Sequence, residues 1–259
     1  MKYPALSSWG VYSVWRRHAK VYQRTWLVNC LPPLSEPILY LVAFGYGLTP
    51  LVGTVIYGGQ EVSYLRFIAP AMMAVGVLFQ SFFEGAYSSF IRLNFQKTWQ
   101  ALLTAPLSFA EVFLGDWLWA ATKGMIAGVL TGVVAVIWGL YSGWDLILAL
   151  PLLFLGSLLF GAMGLLTAGV VRQVDQVNVP IFLIVIPMFT LCGTYFPRTT
   201  LPPFLQGIAG ILPLASLIDL LRFPLEFPPF WWLNVLWMVT LTALFGGLAV
   251  RTIYPKLVR

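Results

Sequence analysis

The sequence contains 259 residues, of which 59% are hydrophobic and 9% are charged. Because a soluble domain usually carries about 25% charged residues, this composition excludes a soluble globular fold and predicts an integral membrane protein. One all-α membrane domain over residues 1–259 accounts for the whole length. The net charge of +6 does not indicate a nucleic-acid partner, because most Lys and Arg residues lie at one end of each apolar run, as the positive-inside rule describes.

The first predicted element is an amphipathic helix at 9–26. Aromatic residues recur at three- and four-residue steps on one side, and Arg, Lys and Gln fall on the other. A basic helix with an aromatic face is typical of a segment that lies in the membrane interface, although the same pattern fits a cytoplasmic helix packed on protein. His18 lies among the basic residues, and we expect it to be solvated at the surface.

Apolar runs after this helix predict six transmembrane helices. Their expected bounds are 27–48, 64–91, 109–138, 146–171, 179–195 and 230–253. Between the last two runs, 204–221 contains two apolar stretches of about half the length of a span around Pro213, which favours a re-entrant helix pair that enters from outside. Basic residues concentrate in the segments that this topology places inside, so both termini are expected in the cytoplasm.

A polar interruption separates the second and third spans, and its middle, 95–104, predicts a short amphipathic helix on the cytoplasmic side. Pro106 cannot continue that helix. A short, stiff helix between two spans is a surface that a soluble motor subunit could push against, and a tight turn that only joins the spans is the alternative. The residues that would form this surface are the apolar anchors Trp99, Leu102 and Leu103, with Lys97, Gln100 and Thr104 beside them.

Three ionisable residues fall inside the predicted spans, namely Glu84, Asp116 and Lys123. Charged groups are costly in the bilayer, so these residues are functional candidates by default. Asp116 and Lys123 lie two turns apart on one helical face, and Glu84 could meet either of them from the neighbouring span. We favour a structural ion pair that holds the helices in register, and a proton relay is the alternative.

An aromatic stripe runs along the second predicted span. Its members are Phe79, Phe83, Tyr87 and Phe90. Aromatic rings stack on the apolar faces of sugars, so the stripe could line a passage for a sugar or a lipid. Such a stripe more commonly belongs to the core or to the lipid-facing surface, and the sequence leaves these alternatives open.

Small residues mark a packing face on the third predicted span. Gly124, Gly128 and Gly132 follow one another at four-residue steps, a doubled GxxxG pattern that lets another helix approach closely in lipid. The partner helix could come from a second copy of the chain or from the same bundle.

The sequence lacks the residue patterns of catalysis and of nucleotide binding. It has no G-x-x-x-x-G-K-[ST] phosphate loop, no Ser-His, Cys-His or His-Glu constellation and no metal-ligand spacing. We therefore expect that this chain is not an enzyme and binds no cofactor or metal itself. An active transporter built on it needs an energy source from elsewhere. The alternative is a proton-coupled secondary transporter that uses Glu84, Asp116 and Lys123.

A set of short strings carries a resemblance to a known family. The strings are VWRR at 14–17, EP at 36–37, KTWQA at 97–101, WAATK at 119–123, LPLA at 212–215 and IDLLR at 218–222. Their joint order resembles the membrane subunit of an ABC-2 type exporter, most of all the permeases that export nodulation lipo-oligosaccharides. The resemblance covers about Val14 to Arg222.

The resemblance implies a fold, partners and a cargo. The fold has six transmembrane helices, an N-terminal interface helix, a cytoplasmic coupling helix and an external re-entrant pair. The partners are a second copy of the chain and two cytoplasmic ATPase subunits, which bind ATP and Mg²⁺. The location is the bacterial inner membrane, and the cargo is a lipid-linked oligosaccharide, a polysaccharide or another lipophile. The resemblance identifies Lys97 to Thr104 as the coupling helix.

Overall fold

The computed structural model describes residues 7–258, apart from the side chains of Cys30, Pro32, Pro33, Leu34, Glu36, Pro37, Tyr46 and Val258. The described part is mostly helical and includes one β-hairpin. Its main helices are α1 Ser8–Arg24, α2 Trp26–Val42, α3 Tyr64–Asn94, α4 Thr98–Leu103, α5 Phe109–Ile137, α6 Gly143–Val170, α7 Val174–Leu191, α8 Pro203–Ile211, α9 Pro213–Leu221 and α10 Trp231–Val258. The strands are β1 Thr54–Tyr57 and β2 Gln60–Ser63.

Five helices within the described residues are long and apolar enough to cross a membrane, and they are α3, α5, α6, α7 and α10. The predicted first span, 27–48, corresponds to α2 and to a π-helical continuation at Ala43–Leu48. Several of its side chains lie outside the described residues, so this span stays a prediction. Helices α8 and α9 meet at an angle of 86°, which fits either a broken span or the predicted re-entrant pair.

The segment between α2 and α3, which the predicted topology places outside the membrane, forms a hairpin. Strands β1 and β2 pair antiparallel from Thr54 opposite Ser63 to Tyr57 opposite Gln60. The two residues between the strands, Gly58 and Gly59, have φ angles of 60° and 75°. A two-residue turn with both φ values positive matches the right-handed twist of the strands, and glycine adopts it without steric cost. We call this side of the bundle the hairpin end, and the side that carries α4 the loop end.

Helix α1 packs across the loop end of α5. The Ser7 side chain caps α1, and the Ser7 N–H donates to Glu111 Oε1 at 2.9 Å. Glu111 also forms a capping box with Ser108 at the start of α5, so one carboxylate holds both helix starts. The buried stripe of α1 consists of Gly10, Val14 and His18. The aromatic side of α1 is only partly buried: Trp15 and Tyr22 contact Trp119 of α5, whereas Tyr12 is exposed.

The GxxxG face is a contact within this chain. A Cβ atom added at Gly124 would lie 1.7 Å from Ser81 Oγ of α3 and 2.9 Å from Ser157 Oγ of α6. Added Cβ atoms at Gly128 and Gly132 would likewise collide with side chains of α3 and α6. These glycines therefore let α5 pack between α3 and α6, and the sequence pattern could not identify those partners.

Candidate functional site

One group of buried ionisable residues lies between α1, α3 and α5 at the loop end. The helical ladder of α3 contains one π-helical turn at Glu84–Ser88, and ordinary α-helix resumes at Ser89. Such a turn is typical of functional positions in helices because it changes the direction of the side chains that follow. Here Glu84, Ser89 and Arg92 meet side chains of α5.

A continuous network of ion pairs joins these helices. Glu84 accepts from Lys123 Nζ at 3.2 Å and from Arg92 at 2.6 Å. Arg92 Nε lies 3.0 Å from the Asp116 carboxylate, and His18 Nε2 lies 3.0 Å from the same oxygen. The Ser89 hydroxyl donates to the other Asp116 oxygen at 2.6 Å. We call these six residues the charge cluster.

The structure supports only part of the predicted ion pairing. Glu84 does contact Lys123 from the neighbouring helix. Asp116, however, contacts Arg92 and His18. The prediction that His18 is solvated is wrong, because its exposed fraction is 6% and its ring stacks on Trp119 at 5.9 Å. The sequence analysis did not predict that Arg92 pairs with Glu84 and Asp116. Its position eight residues after Glu84 on the same helix could have indicated the contact with Glu84.

Burial gives the charge cluster its energetic importance. The Asp116 and Glu84 side chains are almost fully buried, and Arg92 and Lys123 are mostly buried. Replacing such a network by apolar residues can be neutral, but removing one partner leaves an unpaired charge in a medium of low dielectric constant. The cluster therefore links the positions of α1, α3 and α5, which cannot separate without exposing unpaired charges.

A cavity of about 310 Å³ opens beside the charge cluster. Its wall includes Glu84, Arg92 and Lys123 from the bundle, and Arg17 and Tyr22 from α1. The Lys123 ammonium lies 5.7 Å from the centre of the Tyr22 ring, a cation–π distance. Helix α1 thus forms one side of a polar cavity at the loop end.

Helix α4 packs its apolar face against its own bundle. Trp99 has an exposed fraction of 1%, and its ring lies 6.3 Å from Phe109 and 6.4 Å from Phe113, measured between ring centres. Leu102 and Leu103 are partly buried against the same apolar cluster. The prediction that these three residues present a free apolar face is therefore wrong. Helical spacing identifies an apolar face but not the surface that covers it.

The exposed surface of the loop consists of other residues. Phe95 precedes α4 with an exposed fraction of 66%. Lys97 is exposed and is the one non-glycine residue in the described chain with a positive φ, at 50°, so it turns the chain into α4. Ala101 and Thr104 are also exposed, whereas Gln100 is half-buried and donates to the Leu93 carbonyl at 3.4 Å.

Comparison with protein families identifies this architecture. Residues 10–225 match the family model described as ABC-2 type transporter. The chain belongs to the ABC-2 type transporter family. It is thus a multi-pass membrane protein of a transport family.

Curated relatives agree with this family. Nodulation protein J of Rhizobium leguminosarum bv. trifolii is 37% identical over 211 residues, which are 81% of this chain and 79% of the relative. Nodulation protein J of Rhizobium meliloti (strain 1021) is 35% identical over 217 residues, or 83% and 81% of the two chains. The inner membrane transport permease YadH of Escherichia coli (strain K12) is 26% identical over 211 residues, or 82% and 80%.

The predicted aromatic stripe of this ABC-2 chain divides into two parts. Phe79 and Phe83 stack with their ring centres 6.0 Å apart, and Tyr87 is exposed. Phe90 is buried in the core, because the π-helical turn changes the face on which it lies. Phe79 continues instead to Phe189 of α7 at 5.5 Å.

A series of aromatic contacts, which we call the aromatic ladder, therefore leaves the predicted stripe and runs through the half of the membrane domain nearer the hairpin end. From Phe83 and Phe79 it passes to Phe189, then to Tyr195 at 5.2 Å and to Phe44 at 5.1 Å. Its rings come from α3, α7, the turn after α7 and the π-helical end of α2. The ladder runs from the middle of α3 towards the hairpin end, and its ring faces are a surface suited to apolar and sugar groups.

Proposed function

We propose that this ABC-2 chain is the permease subunit of an ATP-driven exporter. Two copies of the chain would assemble with two cytoplasmic ATPase subunits in the bacterial inner membrane, with both termini in the cytoplasm. The chain itself binds no nucleotide; ATP and Mg²⁺ are bound by the ATPase. The cargo is a lipid-linked oligosaccharide or polysaccharide, or another lipophile. The similarity to Nodulation protein J over about four-fifths of both chains supports this function most directly.

The packing of the loop helix α4 supports a mechanical role. Trp99 belongs to one apolar cluster with Val14 of α1, Phe113 of α5 and Ile253 of α10. A force applied to α4 would be passed to three helices at once, because close-packed interiors transmit displacement. Helix α4 is thus suited to act as the coupling helix, with Trp99 holding it to the bundle.

The ATPase would contact the exposed side of the loop. Phe95 and Lys97 offer an aromatic ring and a cation on that side, and such groups are frequent in protein interfaces. Buried aromatic anchors commonly cost more than about 2 kcal/mol of binding when truncated. We therefore assign the main anchor to Phe95, where the sequence pattern indicated Trp99.

The charge cluster would carry the movement from the loop end into α3. Helix α1, the π-helical turn of α3 and the middle of α5 meet there through ion pairs of 2.6 to 3.2 Å. A proton-coupled transporter is the second candidate function, and the adjoining cavity would give protons access to Glu84. It is less favoured, because Glu84 is already paired with two basic side chains, Arg92 and Lys123.

The aromatic ladder would form part of the passage for the cargo. Rings stack on sugars and on lipid chains without demanding one orientation, which suits a long substrate that moves past them. Phe79, Phe83 and Phe189 lie in the middle of this path.

Reconstitution tests the proposed function. The purified chain alone should hydrolyse no ATP. A complex with its ATPase subunit should hydrolyse ATP and move a fluorescent lipid-linked oligosaccharide into the lumen of inverted vesicles. A complex with an ATPase whose phosphate-loop lysine is replaced provides the control. Export by the chain alone, driven by a pH gradient, would instead support the proton-coupled alternative.

A further inference from the structure

A polar pocket of about 470 Å³ lies at the hairpin end. The β-hairpin covers one side, the turn at Arg198–Thr200 a second side, and α8 and α9 the remaining wall. Small-molecule sites commonly occupy about 300 to 1,000 Å³, so this pocket has room for one or two sugar rings. The charge cluster and the loop helix lie at the other end of α3, so this pocket is separate from both.

A buried arginine makes the pocket rigid. Arg222 has an exposed fraction of 2%, and its guanidinium carbon lies 3.6 Å from the centre of the Phe67 ring. It donates to the Phe67 carbonyl at 3.2 Å and to the Gly193 carbonyl at 2.7 Å. Tyr57 of the hairpin packs against the same guanidinium at 5.3 Å. One side chain therefore joins α3, the turn after α7 and the hairpin around the pocket.

The charges of the pocket are balanced. Arg198 forms an ion pair with Asp219, and Arg222 provides a second cation. Glu226 stands at the rim beside the hairpin turn, where a Cβ added at Gly58 would lie 2.5 Å from its carboxylate. Two carboxylates facing the pocket disfavour phosphate and other strong anions. Alternating carboxylates and guanidinium groups suit a neutral molecule with many hydroxyls, because hydroxyls both donate and accept hydrogen bonds.

Two further side chains extend this pattern of donors and acceptors. Gln206 lines the pocket, and its amide nitrogen donates to the Leu201 carbonyl at 2.7 Å and to the Thr199 carbonyl at 3.3 Å, so its amide oxygen is the group left to accept a hydrogen bond. Burial raises the pKa of the Tyr57 hydroxyl above its ordinary value of 10.0, so this group stays protonated at neutral pH. The pocket thus offers carboxylate, guanidinium, amide and phenol groups on a fixed frame.

We propose that this pocket is a binding site for the sugar rings of a glycan at the hairpin end of the membrane domain. The aromatic ladder passes through Tyr195, two residues before Pro197 of the pocket wall, so a glycan that follows the ladder reaches the pocket. The pocket then holds the glycan by its hydroxyls and disfavours its return. This inference rests on the proposed function, because it assumes that the cargo carries sugar.

Glycan binding can be measured on the purified chain in nanodiscs without any ATPase. The probes are maltotetraose and a tetramer of N-acetylglucosamine, and tetraethylene glycol is the control that lacks vicinal hydroxyls. Binding is recorded by saturation-transfer difference NMR and by titration calorimetry. We expect at least one tetrasaccharide to bind and tetraethylene glycol not to bind. Binding of inorganic phosphate in preference to both glycans, or no glycan binding, would overturn the proposal.

Matched variants connect the binding to the pocket. Glu226→Gln removes an exposed carboxylate at the rim and should weaken glycan binding about tenfold, as expected for the loss of a hydrogen bond to a charged group. Glu61→Gln makes the same change on an exposed part of the hairpin that does not line the pocket, and should leave binding unchanged. Equal affinity of the wild type and Glu226→Gln would refute the assignment.

The test separates this inference from the proposed function. Glycan binding needs no ATPase, whereas export needs one. If the complex exports the labelled oligosaccharide but the chain binds no tetrasaccharide, the exporter function stands and the pocket assignment is refuted.

Discussion

Replacing Trp99 by alanine tests how the loop helix is held. The indole is almost fully buried among Phe109, Phe113 and the other members of its apolar cluster, so truncation leaves a cavity. Truncating a buried tryptophan costs about 3 to 5 kcal/mol of folding free energy. Helix α4 has only two turns, so most of this loss should appear as detachment of α4 from α5.

The first assay compares two variants of the purified permease in the absence of its ATPase. Trp99→Ala should lower the melting temperature and expose the loop to limited proteolysis. Phe95→Ala, at an exposed ring, should leave the free energy of unfolding within about 0.5 kcal/mol of the wild type. The second assay measures how much ATPase co-purifies with each variant. Phe95→Ala should no longer retain the ATPase, although the variant itself is folded. A wild-type melting temperature for Trp99→Ala, together with lost ATPase binding, would show that Trp99 faces the ATPase and would refute this reasoning.

Two other substitutions follow from the packing of the bundle. Arg92→Met removes the cation that Glu84 and Asp116 share, and should destabilise the purified chain by about 3 to 5 kcal/mol in chemical unfolding. Adding Glu84→Gln should recover part of this loss. If the two losses of free energy simply add, the residues do not form one network. Gly164→Ala places a Cβ 2.5 Å from the Phe82 carbonyl of α3 and should cost about 1 to 3 kcal/mol or prevent folding. Gly207→Ala, in open space within α8, should melt at or slightly above the wild-type temperature, because alanine favours a helix more than glycine does.

The membrane class could be predicted from composition because the bilayer imposes long apolar helices. Five of the predicted spans correspond to described helices of suitable length and composition, since a span needs about 20 apolar residues. The two half-length helices around Pro213 were predictable for the same reason, because each is too short to cross alone and proline interrupts the run.

The functional contacts were less predictable because they depend on partners that are distant in sequence. The pairing of His18 with Asp116 needs α1 to lie across α5. Gly10 and Val14, four residues apart on the buried stripe of α1, permit this packing but do not identify α5 as the partner. The π-helical turn at Glu84–Ser88 adds a residue that a regular helical wheel omits, so Phe90 was assigned to the wrong face. The inward orientation of Trp99 likewise requires knowledge of the surface beneath α4.

Site-specific photo-crosslinking in living cells tests the central claim most directly, namely that an ATPase pushes on the loop end. A photoreactive amino acid replaces Lys97, which is exposed beside α4, or Thr199, which is exposed at the hairpin end. The account predicts that position 97 forms a covalent adduct with the ATPase subunit and that position 199 does not. An ATPase adduct at position 199, or none at 97 in a strain that exports the cargo, would contradict the account.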